Sequence, residues 1–346
     1  MIEENDFYYL LNIIFIIYMY IHFKNNTKEN DFYYILNIIF IIYIYIYFKN
    51  NTEENDCYYI CSVGFRKSCN MYSLINNDNI DHYNFNNLKE NDVLYIKTDA
   101  LYNFSKIINN INCKFILVSG CSDYTIPNDR FYNLDDFKNF IKNDKIIHMF
   151  FQNCIYKHPK ITNLPIGLDY HTLNSNINLY WGKNCKPIIQ EYELINIKNN
   201  SKPFYDRICK CYSTFHFSYK GYKYDNDRID ALNNISSNLI YFEPNIVERK
   251  KTWEHQINYS YVISPHGNGL DCHRTWEALV LGCIPIVKKS NIDALYDDLP
   301  VLIVNNWYDL NEDLLNETIQ TFKKMKFNYD KLSLIYWINK FNEKKI

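Results

Sequence analysis

The segment Tyr261–Val287 constrains this chain most. It reads as a strand (Tyr261-Val262-Ile263), a loop holding Gly267 and Gly269, a helix through Arg274–Leu279, a stop at Gly282 and a second strand at Ile284–Val287. The chain has only eight glycines, where average usage of about 7% would give roughly 24. Three of the eight fall in this one segment, so a backbone reason is expected. Gly267 and Gly269 are expected to permit positive φ and close approach of a ligand to the main chain. Gly282 suits a helix C-terminus. The spacing predicts an α/β unit whose helix start can receive an anion.

The charges in this helix refine the expectation. Asp271 is placed to cap it, which puts Arg274 in the first turn. A cation there opposes the helix dipole and costs a few tenths of a kcal/mol. The placement makes sense if Arg274 and the free N–H groups share an anion such as a diphosphate. Glu277 lies three residues on and projects from the same face. An Arg for phosphate and a carboxylate for ribose hydroxyls would hold a nucleotide. The competing reading is a local Arg–Glu ion pair on a solvated face, which would contribute little.

The run Ser264-Pro265-His266-Gly267 through His273-Arg274-Thr275-Trp276-Glu277-Ala278-Leu279, then Gly282-Cys283-Ile284-Pro285-Ile286-Val287, resembles the C-terminal signature of exostosin-like glycosyltransferases. So does Leu295-Tyr296-Asp297-Asp298-Leu299-Pro300-Val301, followed by Asn306-Trp307. The resemblance covers about 260–310 and fades back towards 205; Leu164-Pro165-Ile166-Gly167-Leu168-Asp169 fits it loosely. It implies a GT-B-like α/β fold: two Rossmann-like domains facing a cleft, with a sugar nucleotide held by the C-terminal one. It also implies no cofactor and no catalytic metal. In such folds a C-terminal helix commonly crosses back to the first domain, and Trp337 and Phe341 are its expected packing residues.

Composition bounds the rest. A chain of 346 residues defaults to two domains. It is 47% hydrophobic and 17% aromatic, ample for sizeable cores, and its net charge of −2 argues against a mainly electrostatic nucleic-acid binder. Seven Asn-x-Ser/Thr sequons, at Asn25, Asn50, Asn103, Asn199, Asn234, Asn258 and Asn316, are expected by chance in so Asn-rich a chain. The eleven cysteines lack the paired elbows of a zinc site and read as scattered apolar thiols.

The amino terminus repeats itself. Asn5–Asn26 and Asn30–Asn51 are nearly the same text at a period of 25, and Asn55 begins a third copy that turns into globular sequence. Each copy holds an apolar run, Phe7–Phe23 and Phe32–Phe48. As helix, such a run spans about 25 Å, slightly short of a ~30 Å hydrocarbon core. A duplicated membrane anchor is the expectation. The alternation Ile42-Tyr43-Ile44-Tyr45-Ile46-Tyr47 keeps β-structure open, as does a buried hairpin.

After residue 90 the chain alternates strands and helices. Asp92–Thr98, Lys114–Ser119 and Lys145–Gln152 read as strands and 134–143 as a helix, a rhythm that predicts a parallel sheet. Its strand ends carry Thr98-Asp99, Ser119-Gly120 and Gln152-Asn153, and ligands bind beyond strand C-termini. The turn Leu164–His171 supplies Asp169 and His171, two candidates for a base taking a proton from an acceptor hydroxyl. Residues 184–203 have the polar, Pro-flanked look of a linker. A second α/β unit follows, with a strand over Arg207–Phe217, a helix over Asp227–Ser236 and a strand over Leu239–Phe242. Asp225-Asn226-Asp227 matches a metal-holding Asp-x-Asp pattern but reads as a helix N-cap. Asp309–Lys324 and Leu332–Phe341 read as helices.

These observations lead to one expectation: a membrane-tethered glycosyltransferase moving a sugar from a nucleotide-sugar donor to a hydroxyl of a glycan or glycoprotein. Residues 1–54 would be the anchor, 55–200 the acceptor-side domain and 201–346 the donor-side domain. Asp169 and His171 are the catalytic candidates. Lys220, Arg228, His266, Gly267, Asn268, Gly269, His273, Arg274 and Glu277 are the substrate-binding candidates. The alternative is a non-catalytic, membrane-anchored protein that binds glycan or nucleotide beside a decayed acceptor site.

Overall fold

Apolar runs too short for helices become strands covered on both faces, and they form two parallel sheets. The computed structural model describes residues 52–73, 79–175, 179–218 and 220–346. Glu53–Ile346 is one compact unit, and everything below concerns it. The two N-terminal apolar runs lie outside the described residues. Among the described residues no helix is long and apolar enough to cross a membrane.

The first sheet holds β1 (Val93–Lys97), β2 (Phe115–Gly120), β3 (Ile146–Phe151) and β4 (Ile161–Asn163), hydrogen-bonded in the order β1-β2-β3-β4 and parallel throughout. The helices of this half are α1 (Ser62–Lys67), α2 (Leu101–Ile107), α3 (Leu134–Ile141), α4 (His171–Asn174) and α5 (Pro187–Asn199). The second sheet holds β5 (Ile208–Ser213), β6 (Ile240–Phe242), β7 (Tyr259–Ile263), β8 (Ile284–Lys288) and β9 (Leu302–Val304). Its order is β6-β5-β7-β8-β9, again all parallel. Around it stand α6 (Asp225–Asn234), α7 (Arg249–Gln256), α8 (His273–Val280) and α9 (Glu312–Phe322), and α10 (Leu334–Asn342) closes the chain.

Side-chain alternation along each strand sorts the core into three clusters. In β2, Phe115 and Leu117 join an outer cluster with Leu94, Phe104 and Phe137. Ile116 and Val118 face the other way, into a central cluster with Phe150, Trp276, Leu279, Trp337 and Phe341. In β7, Tyr261 and Ile263 join a second outer cluster with Trp307 and Leu315, while Val262 faces the centre. One continuous apolar core therefore lies between the two sheets.

The C-terminal helix returns to the first sheet. The ring of Phe341 lies 4.7 Å from Phe150 and 6.2 Å from Phe65, and Trp337 lies 6.4 Å from Phe65. Backbone bonds fix the return: Leu334 N–H donates to the Tyr58 carbonyl at 2.8 Å, and Ile60 N–H to the Leu332 carbonyl at 3.0 Å.

Two local expectations are corrected. The segment 184–203 is not a linker: it contains α5, with Pro187 in the first turn, where a missing N–H is harmless. Its buried Glu191 accepts the N–H groups of Tyr58 and Tyr59 and the hydroxyl of Tyr170 at 2.8–2.9 Å. Polar composition hid a helix whose polar residues have internal partners. The Asp225-Asn226-Asp227 run is not an N-cap: α6 starts at Asp225, and the capping position is Tyr224, with no side-chain bond. Asp227 instead accepts the His266 N–H at 2.9 Å and the Trp307 indole N–H at 2.8 Å.

Candidate functional site

The second sheet has the strand order 2-1-3-4-5 when its strands are numbered from β5, and ligands bind where such an order reverses. The reversal falls between β5 and β7. A cavity of about 420 Å³ lies there, lined by Thr214 and Phe215 after β5 and by Gly267 and Gly269 after β7. Residues of the first half reach it too, among them Asp123, Ile166 and Asp169.

The loop 264–272 is built differently from the sequence expectation. Neither Gly267 nor Gly269 has positive φ. What requires glycine is space for protein side chains. A Cβ on Gly267 would stand 2.7 Å from the Arg228 guanidinium, and one on Gly269 would stand 2.7 Å from the Asn153 amide. Asn153 closes the first sheet and accepts the Asp271 N–H at 2.9 Å. The glycines thus let the loop press against both halves. Gly282 does adopt positive φ (72°) and ends α8. The Gly282 N–H donates to Leu279 at 3.0 Å and the Cys283 N–H to Ala278 at 2.8 Å, the paired closure of a Schellman motif.

Asp271 does not cap α8: the capping position is Cys272, without a side-chain bond. The Asp271 carboxylate turns inward and accepts from Ile166 N–H at 2.7 Å, Trp276 Nε1–H at 2.9 Å and Tyr296 OH at 3.1 Å. Burial raises its pKa to about 6, against the pull of those donors. It ties the 164–169 turn of the first half to α8 of the second. His273 does the same, since its Nδ1 lies 2.7 Å from the Gly167 carbonyl. A carbonyl can only accept, so Nδ1 carries the proton and Nε2 holds the lone pair. Burial keeps the His273 pKa below the ordinary imidazole value.

The first turn of α8 delivers the site's most informative atom. Arg274 lines the cavity, and its Nη1 is buried with no hydrogen-bond partner. Burial first, and then the charge of Arg228, pull its pKa down to about 10. Arg228, from α6, lines the same cavity. It is fixed by the His266 carbonyl at 3.0 Å and by the Ser218 carbonyl, with its guanidinium 4.3 Å from the Tyr222 ring centre. Two guanidinium groups thus face one cavity at the start of a helix, and one has an unmet donor. An unmet buried donor costs about 1–3 kcal/mol. An anion would relieve both the unmet donor and the repulsion.

A third arginine organises the opposite wall. Arg249, at the start of α7, is 3% exposed. It donates to the Asp169 carboxylate at 2.7 Å and to the Asp169 carbonyl. Its Nε lies 3.9 Å from Glu277, and its guanidinium lies 4.7 Å from the Trp181 ring centre. In the sequence Arg249 stands in the run Glu248-Arg249-Lys250-Lys251, which has the look of a solvated helix start and gave no sign of burial.

Asp169 is fully engaged. Besides Arg249 it accepts Thr172 N–H at 3.1 Å, Thr172 OH at 2.8 Å and His171 Nδ1 at 2.9 Å. Burial alone would raise its pKa, but Arg249 and His171 hold it well below the carboxylate range. The Asp169 carboxylate thus has little affinity for a proton, and it holds the His171 ring through Nδ1. His171 is half exposed. Burial of the ring works against its charge, but the hydrogen bond and charge of Asp169 outweigh that and raise its pKa. The rings of His171 and His273 lie 5.7 Å apart.

Asp169, His171 and His273 bring one potential metal-ligand atom each within 4.8 Å of one another. Arg249 already neutralises the carboxylate, while both histidine Nδ1 atoms face oxygen acceptors and leave each Nε2 as the ring atom that could take a proton or a metal ion.

The remaining candidates divide. Asn268 lines the cavity, beside Arg228, His273, Arg274 and Glu277. His266 does not line it: the ring is buried, with Nδ1 2.8 Å from the Leu270 carbonyl, and it shapes the loop. Lys220 is exposed and also stands outside the lining. Its neighbour Lys223 instead crosses to Asp129 and, at 3.0 Å, to Thr125 in the first half. Sequence reasoning missed Arg249, Trp181 and Tyr222. The aromatic-next-to-arginine pairs carried no sequence signal, because Trp181 and Arg249 meet across 68 residues.

No protein-family model matches the chain, and it matches no curated protein. Among solved structures it is similar to a crystal structure of an alpha1,3-fucosyltransferase with GDP-fucose, at 10% sequence identity and a TM-score of 0.35, over 81% of this chain and 94% of that one.

Proposed function

We propose that this chain is a glycosyltransferase of GT-B type, exostosin-like in its C-terminal half, which takes a sugar from a nucleotide-sugar donor. The observation that carries the reading is the partnerless buried Nη1 of Arg274 beside Arg228, over a cavity at the strand-order reversal. A diphosphate supplies the two or more negative charges such a place demands. Glu277 stands one turn further along α8 in the same cavity and is the partner for ribose hydroxyls.

The chemistry draws on His171, which is half exposed and stands outside the cavity lining, with its ring 5.7 Å from that of His273 in the lining. Neutral His171 takes the proton of an acceptor hydroxyl on Nε2 while Nδ1–H donates to Asp169. The acceptor oxygen then bonds to the anomeric carbon. The bond from that carbon to the diphosphate breaks, and the departing charge is met by Arg274, Arg228 and the start of α8. Asp169 holds the imidazole in the right tautomer, and Arg249 holds Asp169. The acceptor is a hydroxyl of a glycan or glycoprotein, and the two N-terminal apolar runs tether the enzyme to a membrane.

Two measurements on the full chain in detergent test the reading. A panel of nucleoside-diphosphate sugars should yield at least one that stabilises the protein; at about 100 times its dissociation constant the gain is about 2.7 kcal/mol. His171→Ala should then lower transfer by about 10²–10⁴-fold with donor affinity unchanged. In Asp169→Asn the rise of activity with pH should move to lower pH, because the imidazole loses the charge that raises its pKa. A protein that binds no nucleoside-diphosphate sugar sinks the proposal.

A further inference from the structure

A second cavity, of about 690 Å³, shares no lining residue with the first. It lies between the edge strand β4 and the chain's C-terminal part, and Asn163, Lys157, Lys331, Lys340 and Trp337 are among its walls. No carboxylate lines it, while three lysines and His158 do. Lys340 is partly neutralised from outside by Glu343 at 2.8 Å. Lys331 is 8% exposed, and its ammonium donates to the Asp297 carbonyl at 2.6 Å, an acceptor that carries no charge. Among the described residues no carboxylate pairs with it. Burial pulls its pKa down, and the charges of Asp297 and Asp298, neither in an ion pair with it, offset this only in part.

A second observation points the same way. Asn163 Oδ1 is buried and has no hydrogen-bond partner. It is an acceptor, so what it needs is a donor such as a hydroxyl. Trp337 is buried in the core, with Nε1–H satisfied by the Lys331 carbonyl at 2.9 Å, and the part-exposed ring of Tyr336 supplies the aromatic wall. The site thus combines an unpaired acceptor, a buried ammonium, a cationic rim and an aromatic wall.

From this combination we infer a second binding site for an anionic saccharide, a sugar carrying a carboxylate or a phosphate. The acid meets Lys331 and the rim lysines, a hydroxyl donates to Asn163, and the apolar face of the ring covers Tyr336. A bare anion would leave Asn163 unmet, and a neutral sugar would leave Lys331 unmet. Addition of a peptide strand to β4 fits less well. The strand is three residues long, and the Ile161 N–H is already bonded to His158 at 2.9 Å. The inference is independent of the nucleotide-sugar reading.

Calorimetric titration of the full chain in detergent with glucuronate, glucose 6-phosphate, glucose and inorganic phosphate tests it. At least one of the two acidic sugars should bind at least tenfold tighter than glucose and than inorganic phosphate, and binding should weaken with added salt. Which acidic sugar binds better tells carboxylate from phosphate. Lys331→Met should reduce that binding at least tenfold. If Lys331→Met folds poorly, the rim variant Lys157→Ala/Lys340→Ala should reduce it at least threefold with an unchanged melting temperature. Arg274→Ala should leave it intact. Equal affinity for glucose or for inorganic phosphate overturns the inference, as does no saturable binding of either acidic sugar at millimolar concentration. Binding that survives both lysine variants, or that is lost in Arg274→Ala, also overturns it.

Discussion

The two sheets end differently. After β3, at the C-terminal edge of the first, polar side chains are matched by protein partners: Gln152 bonds Cys121 N–H, Ser62 and the Pro165 carbonyl at 2.8–2.9 Å. Asn153 accepts the Asp271 N–H, and Asp169 has four kinds of donor around it. At the edge of the second, Arg274 keeps an unmet donor beside Arg228. Strand order explains part of this. The first sheet runs in sequence order, with no reversal to open a crevice, whereas the second reverses between β5 and β7. The polar groups after β3 are thus held by protein partners, whereas Arg274 in the second half keeps a donor without one.

The sharpest way to break this comparison is Asp169→Asn. It removes the carboxylate hydrogen-bonded to Arg249, which is 3% exposed, and leaves it only Glu277, 3.9 Å from Nε, as counter-charge. Stability should fall by about 3–5 kcal/mol, measured by denaturant unfolding. A loss below about 1 kcal/mol would show that the first half's carboxylate is not structural.

Arg274→Ala is the counterpart on the second edge. Donor affinity should fall about 100-fold, roughly 2.7 kcal/mol at about 1.4 per tenfold. The melting temperature of the unliganded protein should hold or rise, because an unmatched buried cation is removed. Unchanged affinity with lowered stability would reverse the assignment and leave a plain structural arginine.

Asn153→Ala should cost about 1–3 kcal/mol by leaving the buried Asp271 N–H unmet. It should change donor affinity far less than Arg274→Ala does. A larger affinity loss than stability loss would show that both edges bind ligand.

Two of the buried carboxylates, Asp169 and Asp271, sharpen the contrast through pH. The Asp169 pKa is lowered on folding, so its contribution is full above the unfolded value near 3.9 and is lost as pH falls below it. The Asp271 pKa is raised to about 6 on folding, so its contribution is full below about pH 4 and is lost as pH rises through about 6. Stability measured from pH 4 to 7 should therefore decline with rising pH through Asp271, and Asp271→Asn should flatten that decline by up to a few kcal/mol. An unchanged slope in that variant would mean the carboxylate stays ionised.

The smallest effect is expected outside the comparison. Deleting residues 5–29 removes one of two near-identical copies. The fold of Glu53–Ile346 should persist, and so should the proposed membrane tether, checked by melting temperature and flotation. Loss of either would show that the copies are not redundant.

Much of this molecule was legible in the sequence because periodicity and glycine placement act locally. The strand–loop–helix–strand text of Tyr261–Val287 corresponds to β7, α8 and β8, with Gly282 at the expected turn. Arg274 could be singled out because a cation in a first helical turn is wrong for the dipole unless something compensates. The sequence by itself therefore determined the α/β rhythm, the helix end and the placing of an arginine in the first helical turn.

Only the tertiary structure decided the partners. Gly267 and Gly269 are glycines because Arg228 and Asn153 press on them. Asp271 leaves its helix because Ile166, 105 residues away in sequence, offers an N–H. Arg249 becomes a buried counter-ion to Asp169 across 80 residues, and α5 hid behind polar residues whose partners lie far along the chain. The physical reason is common to all four. A side chain's charge state and role depend on who shares its low-dielectric surroundings. Folding brings those neighbours from distant parts of the chain, where no local pattern records them.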